Sequence, residues 1–187
     1  MRLLAAFLVT LLLALAARAA VAEDIQITAA ELSLNDESVV LNADFEFEFG
    51  ARIEEALNNG IPLYFVIEFE LSRSRWYWLD ERLAKSSRRL RLWYHALTRQ
   101  YRLSGDTLYQ SFDSLRDAQR ALTRLHNWPV IERHRVQIAQ TYQAALRMRL
   151  DTSELPKPFQ ASSLANREWK LASDWRRWTY APTEPAQ

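Results

Sequence analysis

Alternating apolar and polar side chains dominate the middle of the chain. In residues 41–50, LNADFEFEFG, three phenylalanines alternate with three acidic residues. A period of two places successive side chains on opposite faces, so this stretch predicts a strand with one buried and one solvated face. Residues 25–34 alternate more loosely, and residues 35–38 between the two stretches have the composition of a turn. The pattern predicts an N-terminal β-hairpin.

The longest alternation runs through PLYFVIEFEL, residues 62–71, and continues into LSRSRWYWLD. A straight continuation would place Arg73 and Arg75 on the apolar face and Trp76 and Trp78 on the acidic face. A shift of one residue moves every later side chain to the other face of a strand. We therefore expect a β-bulge or bend at residues 72–74, which returns the two tryptophans to the core side.

Two segments have helical spacing. Residues 51–58 predict a short helix with apolar side chains on one side, and Gly60 is placed to end it in the left-handed conformation. The sequence SLRDAQRALTRLHNWP predicts a longer amphipathic helix that is capped by Asp113 or Ser114 and stopped by Pro129.

The other segments predict further short strands. They lie at residues 88–103, as one bent strand or a tight pair, and at 107–112, 142–150 and 169–175, with an extended linker at 152–159. The sum predicts a mainly β protein, an antiparallel β-sandwich that is Ig-like or related, with one inserted amphipathic helix and a short second helix. We expect one domain over residues 23–180 and a disordered tail at 181–187.

The first 22 residues resemble a secretory leader. A short basic start precedes an apolar run of 15 residues, Leu3 to Ala17, and small residues stand at Ala20 and Ala22. This arrangement predicts a signal peptide that is cleaved after Ala22 and a periplasmic location. The run is shorter than the roughly 20 residues of a spanning helix, so an uncleaved membrane anchor is the alternative.

Composition excludes several classes of function. The chain has no cysteine and three glycines, so it has neither a disulfide framework nor a glycine-rich phosphate loop. Its formal net charge is +1, and removal of Arg2 and Arg18 with the leader reverses that sign. A nearly neutral domain is not expected to bind nucleic acid or an anionic membrane surface.

Charge is nevertheless distributed unevenly. Residues 23–70 carry twelve acids and one base, whereas residues 71–102 carry nine bases and two acids. One interpretation places acidic strands beside basic strands on a solvated face, since opposite charges across a strand pair are favourable. The other interpretation is a bipolar surface that docks a charged partner.

Seven tryptophans allow two interpretations of the aromatic stretches. Most are expected to fill the core, because each buries a large apolar area. The functional alternative is an aromatic platform for a sugar ring, a lipid or a peptide, formed by Trp76, Trp78 and Trp93. Arg73 and Arg75 are candidates to stack on such rings.

The predicted long helix carries a second candidate. Arg116, Arg120 and Arg124 recur every four residues on the face opposite the apolar one. Such a row is typical of a solvated helix face. The functional alternative is docking to an acidic protein surface or to an anionic polymer.

Catalytic motifs are absent from the sequence. It contains no cysteine nucleophile and no G-x-S-x-G, H-E-x-x-H or S-x-x-K pattern. Glu132 and His134 are two residues apart, but two ligands do not make a metal site. We predict no catalytic residue, no metal and no cofactor, and we do not expect an enzyme.

Three strings carry a family resemblance. GIPLYFVIEFELSRSRWYWLD, LWYHALTRQY and YQAALRMRLDTSELPKPFQ, with the Trp-rich end, resemble the exported bacterial family known as domain of unknown function 4390. The resemblance implies a Gram-negative envelope protein and, through an association with sensor-kinase genes, an accessory role in envelope signalling. It assigns no functional residue. The sequence thus predicts a non-catalytic binding module whose partner is an unknown envelope protein or cell-wall component, with a glycan- or lipid-binding domain as the alternative.

Overall fold

Two antiparallel sheets form the protein. The structure is a computed structural model and describes residues 25–73, 81–105 and 109–183. The strands are β1 (Gln26–Leu34), β2 (Ser38–Glu46), β3 (Leu63–Arg73), β4 (Glu81–His95), β5 (Gln100–Ser104), β6 (Tyr109–Phe112), β7 (Arg124–Glu132), β8 (Tyr142–Leu150) and β9 (Arg176–Tyr180). The helices are α1 (Ala51–Asn58), α2 (Leu115–Leu122) and α3 (Lys157–Ala165), with single 3-10 turns at Arg133–Arg135, Thr152–Glu154 and Arg167–Trp169.

Strand order defines a small and a large sheet. The small sheet has the order β1-β2-β7, and the large sheet has the order β6-β5-β4-β3-β8-β9. The predicted N-terminal hairpin is confirmed as β1 and β2. Its turn is held by Asn35, whose Oδ1 accepts hydrogen bonds from the backbone N–H groups of Glu37 and Ser38 at 3.0 and 2.7 Å.

The core lies between the two sheets. On β3 the alternate residues Leu63, Phe65, Ile67, Phe69 and Leu71 are all fully buried. They pack in one cluster with side chains of the small sheet. A hydrogen bond of 2.7 Å from a serine hydroxyl of β4 to a backbone carbonyl of β7, Ser86 to Val130, also joins the sheets. The prediction of a mainly β sandwich is confirmed.

Local predictions in the first half are largely confirmed. The register of β3 and β4 shifts between Leu71 and Ser72, where a bulge was expected. Whether the tryptophans at positions 76 and 78 return to the core lies outside the described residues. Helix α1 ends as predicted, since Gly60 has φ +83°, and its N–H and that of Ile61 bond back to Leu57 and Ala56. The basic stretch forms a pair, β4 and β5.

The predicted long helix is wrong in its second half. Helix α2 begins at the Ser114 cap, as expected, but ends at Leu122, and the following residues form β7. The segment forms a strand despite its helical spacing, because pairing with β2 places Trp128 and its neighbours in the core. Pro129 lies inside β7 and is tolerated there because β7 is the edge strand of its sheet.

Two C-terminal predictions are also wrong. The expected linker at 152–159 contains a 3-10 turn and the start of α3; the side chain of Asp151 accepts a bond from Ser153 N at 3.3 Å, and Pro158 fits the first helical turn. The expected strand at 169–175 lies instead at Arg176–Tyr180, where Trp178 packs against Phe69.

The export prediction concerns residues at the N-terminal end of the chain. The leader, its cleavage site after Ala22 and residues 184–187 of the predicted tail lie outside the described residues. In the described ranges no helix combines the length and apolar character needed to cross a membrane.

Candidate functional site

The face of the large sheet that points away from the small sheet carries the candidate site. Residues directly opposite in an antiparallel pair share a face. Outward-facing Tyr64 on β3 is opposite Arg91 on β4, and Trp93 on β4 is opposite Arg102 on β5. Ser104 on β5 is in turn opposite Tyr109 on β6. The register therefore brings these side chains together across four strands.

Guanidinium groups stack on aromatic rings along this face. Arg91 Cζ lies 4.7 Å from the ring centroid of Trp93 and 5.8 Å from that of Tyr64. Arg102 Cζ lies 5.1 Å from the ring centroid of Tyr109, and the Trp93 and Tyr109 centroids are 6.4 Å apart. We call these five residues the arginine–aromatic strip. Its contacts are cation–π contacts, which leave guanidinium N–H groups available for an anion.

The two arginines of the strip have no carboxylate within ion-pair distance among the residues that the structure describes. Arg102 Nε is buried and has no hydrogen-bond partner in that part of the chain. Arg91 is exposed, and Tyr109 is 59 % exposed. The strip is thus cationic, aromatic and accessible at two of its strands.

Next to the strip, on β3, β4 and β8, the charges of the same face are paired. Arg147 Nη2 lies 2.6 Å and Arg149 Nε 3.4 Å from Glu68 Oε2, and Arg89 lies 3.1 Å from Glu154 and 3.7 Å from Asp151. Lys85 Nζ and Arg82 Nε of β4 lie 3.6 and 3.9 Å from the carboxylate of Glu70 on β3. The interpretation of acidic strands beside basic strands is confirmed for β3 and its two neighbours. It does not extend to the strip.

These pairings determine the charge state of the face. Burial raises the pKa of Glu68, but the hydrogen bond and charge of Arg147, with the charge of Arg149, more than offset it, so that the pKa lies below its ordinary value. Burial likewise raises the pKa of Asp151, and bonds from Ser153 with the charges of Arg149 and Arg89 lower it overall. Both carboxylates are therefore ionised at neutral pH, and they offset the charges of Arg147, Arg149 and Arg89 beside the strip.

A tether on the inner side positions the strip. The Tyr101 hydroxyl donates a hydrogen bond of 2.6 Å to Asn58 Oδ1, which fixes β5 to α1. Tyr101 also packs on Tyr94 with ring centroids 4.9 Å apart. Burial, with smaller effects of Tyr94 and Glu54, raises the pKa of the Tyr101 hydroxyl, so it stays a neutral donor. The hairpin that carries Arg91 and Arg102 is thus attached to α1 on the side opposite the strip.

The structure brings one of the predicted platform residues to this face. Trp93 lies at the centre of the strip. Arg73 does not join it, because its guanidinium forms an ion pair of 2.6 Å with Glu81. The remaining three predicted residues, Arg75, Trp76 and Trp78, lie outside the described residues.

The predicted arginine row is not a single helix face. Arg116 and Arg120 lie on α2, and Arg120 pairs with Asp117 at 3.1 Å. Arg124 lies on β7, opposite Asp44 of β2. All three arginines are exposed.

The pair considered for a metal lies at the end of β7. His134 Nε2 is 3.4 Å from Glu132 Oε2, and both side chains are largely exposed. In the described ranges no third potential ligand joins them, and no other group of three or more forms.

Sequence reasoning missed Arg91, Arg102, Tyr64 and Tyr109. One signal was present, because no acidic residue occurs between positions 82 and 105. The sequence alone does not give the strand register. In this register the part of the basic hairpin that carries Arg91 and Arg102 has no carboxylate opposite it among the described residues.

The fold and this surface define the class of the protein, a mainly β sandwich with a cationic aromatic face on its larger sheet. Residues 22–179 match the family model described as a domain of unknown function (DUF4390), and the chain belongs to that family. No curated protein matches the chain. No solved structure matches it either.

Proposed function

We propose that the protein is an exported, non-catalytic binding module of the periplasm that holds an anionic cell-wall glycan on the arginine–aromatic strip. One observation carries the proposal: two arginines stack on three rings and lack a carboxylate partner in the described part of the chain. The leader-like first 22 residues support export.

The chemistry of the strip favours a sugar that bears an acid group. Two guanidinium groups with free N–H edges bind a carboxylate or a phosphate in bidentate fashion. Aromatic rings offer apolar surface that matches the C–H face of a pyranose. Cell-wall glycans combine both features, since alternate sugar rings carry peptide stems with free carboxylates. The exposed ring of Tyr109, with the half-buried rings of Tyr64 and Trp93, distinguishes this proposal from simple charge attraction.

Affinity measurements on single variants test the proposal. We would titrate soluble cell-wall fragments, disaccharides that carry peptide stems, into the full chain and follow tryptophan fluorescence and heat. Arg91→Gln and Arg102→Gln should each weaken binding by about tenfold, which corresponds to about 1.4 kcal/mol. Trp93→Phe should weaken it less and should reduce the fluorescence change.

A matched arginine serves as the control. Arg116 on α2 is exposed and lies outside the strip. Arg116→Gln should bind the fragments as the unchanged chain does. If Arg116→Gln alone lowers the affinity, the helix and not the strip is the docking surface. Absence of binding up to millimolar concentration would refute the proposal.

A further inference from the structure

The edge strands of the two sheets lie beside each other at the end of the sandwich opposite the strip. β1 ends the small sheet, and β9 ends the large sheet. Edge strands present a row of N–H and C=O groups without ladder partners. Two cavities of about 630 and 570 Å³ lie along this boundary, the first between residues 25–27 and 170–176, which lead into β9, and the second between residues 30–34 and 178–183. We call them together the edge groove.

The groove is closed at one end. Ile25 N donates to Ala172 O at 3.3 Å. Further along, Arg176 Nη1 reaches Ile27 O at 2.6 Å and Thr28 O at 3.2 Å. Here a whole side chain spans the gap, so the two edges are further apart than the roughly 4.8 Å between paired strands.

The other end of the groove is open. Residues 30–34 form one wall and residues 178–183 the other, and among the described residues no backbone hydrogen bond connects them. Leu32 and Tyr180 line this part and are 8 % exposed. The Tyr180 hydroxyl is buried and has no hydrogen-bond partner in the described chain. The walls therefore offer main-chain groups and a largely buried apolar base.

We propose that the edge groove binds the extended C-terminal segment of a partner protein, which adds as a strand between β1 and β9. Both walls run in the same direction, because residue numbers rise together from the closed to the open end. A guest that runs the opposite way pairs antiparallel with both walls, and antiparallel pairing is the more stable arrangement. Its C-terminus then lies at the closed end.

Charge at the closed end fits that orientation. Lys170 and Arg176 line this end and outnumber its one carboxylate, Asp174. Arg176 uses Nη1 for the β1 carbonyls, so its other N–H groups are available to a terminal carboxylate. Residues 30–34 span about 17 Å at about 3.4 Å per residue, which accommodates a guest strand of about five residues.

A synthetic strand tests this inference on the full chain. The probe is the N-acetylated peptide Thr-Val-Thr-Val-Thr-Val with a free carboxylate, titrated into 15N-labelled protein. Amide shifts should change along residues 30–34 and 178–183. The C-terminally amidated peptide should bind about tenfold more weakly, because it lacks the charge. Shifts elsewhere, or none up to millimolar peptide, would overturn the inference.

Main-chain recognition needs its own control. A peptide of the same side chains with alternate backbone nitrogens methylated lacks half the donors and should not bind. Equal binding of the methylated peptide would contradict strand addition.

Variants of the protein test the contribution of the groove wall separately from that of the charge at its closed end. Ala181→Trp fills the groove from an exposed position and should abolish binding, whereas Ala29→Trp, exposed on β1 outside the groove, should not. Lys170→Gln should remove most of the preference for the free carboxylate, and the exposed control Lys157→Gln should retain it. An unchanged preference in Lys170→Gln would contradict the assigned orientation.

Discussion

Individual arginines on the large sheet have two different environments. Arg147 and Arg149 pair with the carboxylate of Glu68, and Arg147 also stacks on Trp175 at 4.7 Å, whereas Arg91 and Arg102 contact rings and have no carboxylate partner among the described residues. A guanidinium that is neutralised by a carboxylate contributes to the fold, and one that is stacked on a ring keeps its charge for a ligand. The difference in partner explains why only part of a uniformly basic hairpin is a candidate site.

Replacement of Glu68 tests the role of the paired arginines. Its side chain is 16 % exposed and accepts bonds from Arg147 at 2.6 and 3.0 Å. Glu68→Gln should lower the free energy of unfolding at pH 7 by about 1–3 kcal/mol, since it removes the charge that Arg147 and Arg149 share and leaves Arg149 only Asp151, at 3.6 Å. Glu70→Gln, on the same strand and face, should cost less, because Glu70 pairs at 3.6 and 3.9 Å with well-exposed partners. Urea denaturation measures both.

The same carboxylate gives stability a defined pH dependence. The pKa values of Glu68 and Asp151 are lowered on folding by their arginine partners and, for Asp151, by Ser153. Their contribution is therefore present above the ordinary carboxyl pKa of about 4 and is lost as the pH falls through the lower folded value. Glu68→Gln should flatten the loss of stability below about pH 4. An unchanged acid slope in this variant would contradict the assigned ion pairing.

At the level of elements, the turn after α1 depends on one backbone conformation. Gly60 has φ +83°, and no atom lies within 4 Å of a Cβ added there. Gly60→Ala should therefore lower stability by about 1–2 kcal/mol through backbone strain alone. Gly105→Ala is the control, because its Cβ would meet only side-chain atoms at 3.4 Å or more. Thermal unfolding of the two variants should differ by several degrees, and equal midpoints would argue against the strained turn.

Elements with a clear period were predictable, and those decided by pairing were not. β3 and β8 follow from alternation because one face is fully buried. The segment after Leu122 has helical spacing, yet it forms β7 because β2 offers a free edge to pair with. Strand β9 and helix α3 likewise depend on long-range contacts, which a local pattern does not contain.

The site was predictable only in part for the same reason. Trp93 was a candidate because it is one of the tryptophans that could form an aromatic platform. The basic character of the hairpin is also visible in the sequence. Which arginines meet a carboxylate depends on the order β6-β5-β4-β3-β8-β9, and sequence does not give strand order. The arginines of α2 and β7 were grouped by spacing alone, and the end of the helix at Leu122 separates them.

For the whole molecule, the two proposed binding surfaces lie at opposite ends of the large sheet. The strip lies on the outer face at the β6 end, and the edge groove lies at the β9 end. The paired charges of β3 and β8 lie between them. A ligand at one end therefore leaves the other end accessible.

The dependence of affinity on ionic strength distinguishes an anionic glycan ligand from a neutral one. Exposed charges are screened over about 10 Å at 0.1 M salt and about 3 Å at 1 M. We expect the affinity for acidic cell-wall fragments to fall by roughly tenfold between these concentrations. Fragments with their carboxylates amidated should show little salt dependence in the same calorimetric titration. Salt-independent binding of the acidic fragments would contradict a role for Arg91 and Arg102.

The most direct test of the central claim is a map of amide shifts in 15N-labelled protein during titration with acidic cell-wall fragments. The account predicts that the perturbed amides belong to β3, β4, β5 and β6 near Tyr64, Arg91, Trp93, Arg102 and Tyr109. Perturbations confined to α2 around Arg116 and Arg120, or none at saturating fragment, would contradict the assignment of the arginine–aromatic strip as the binding surface.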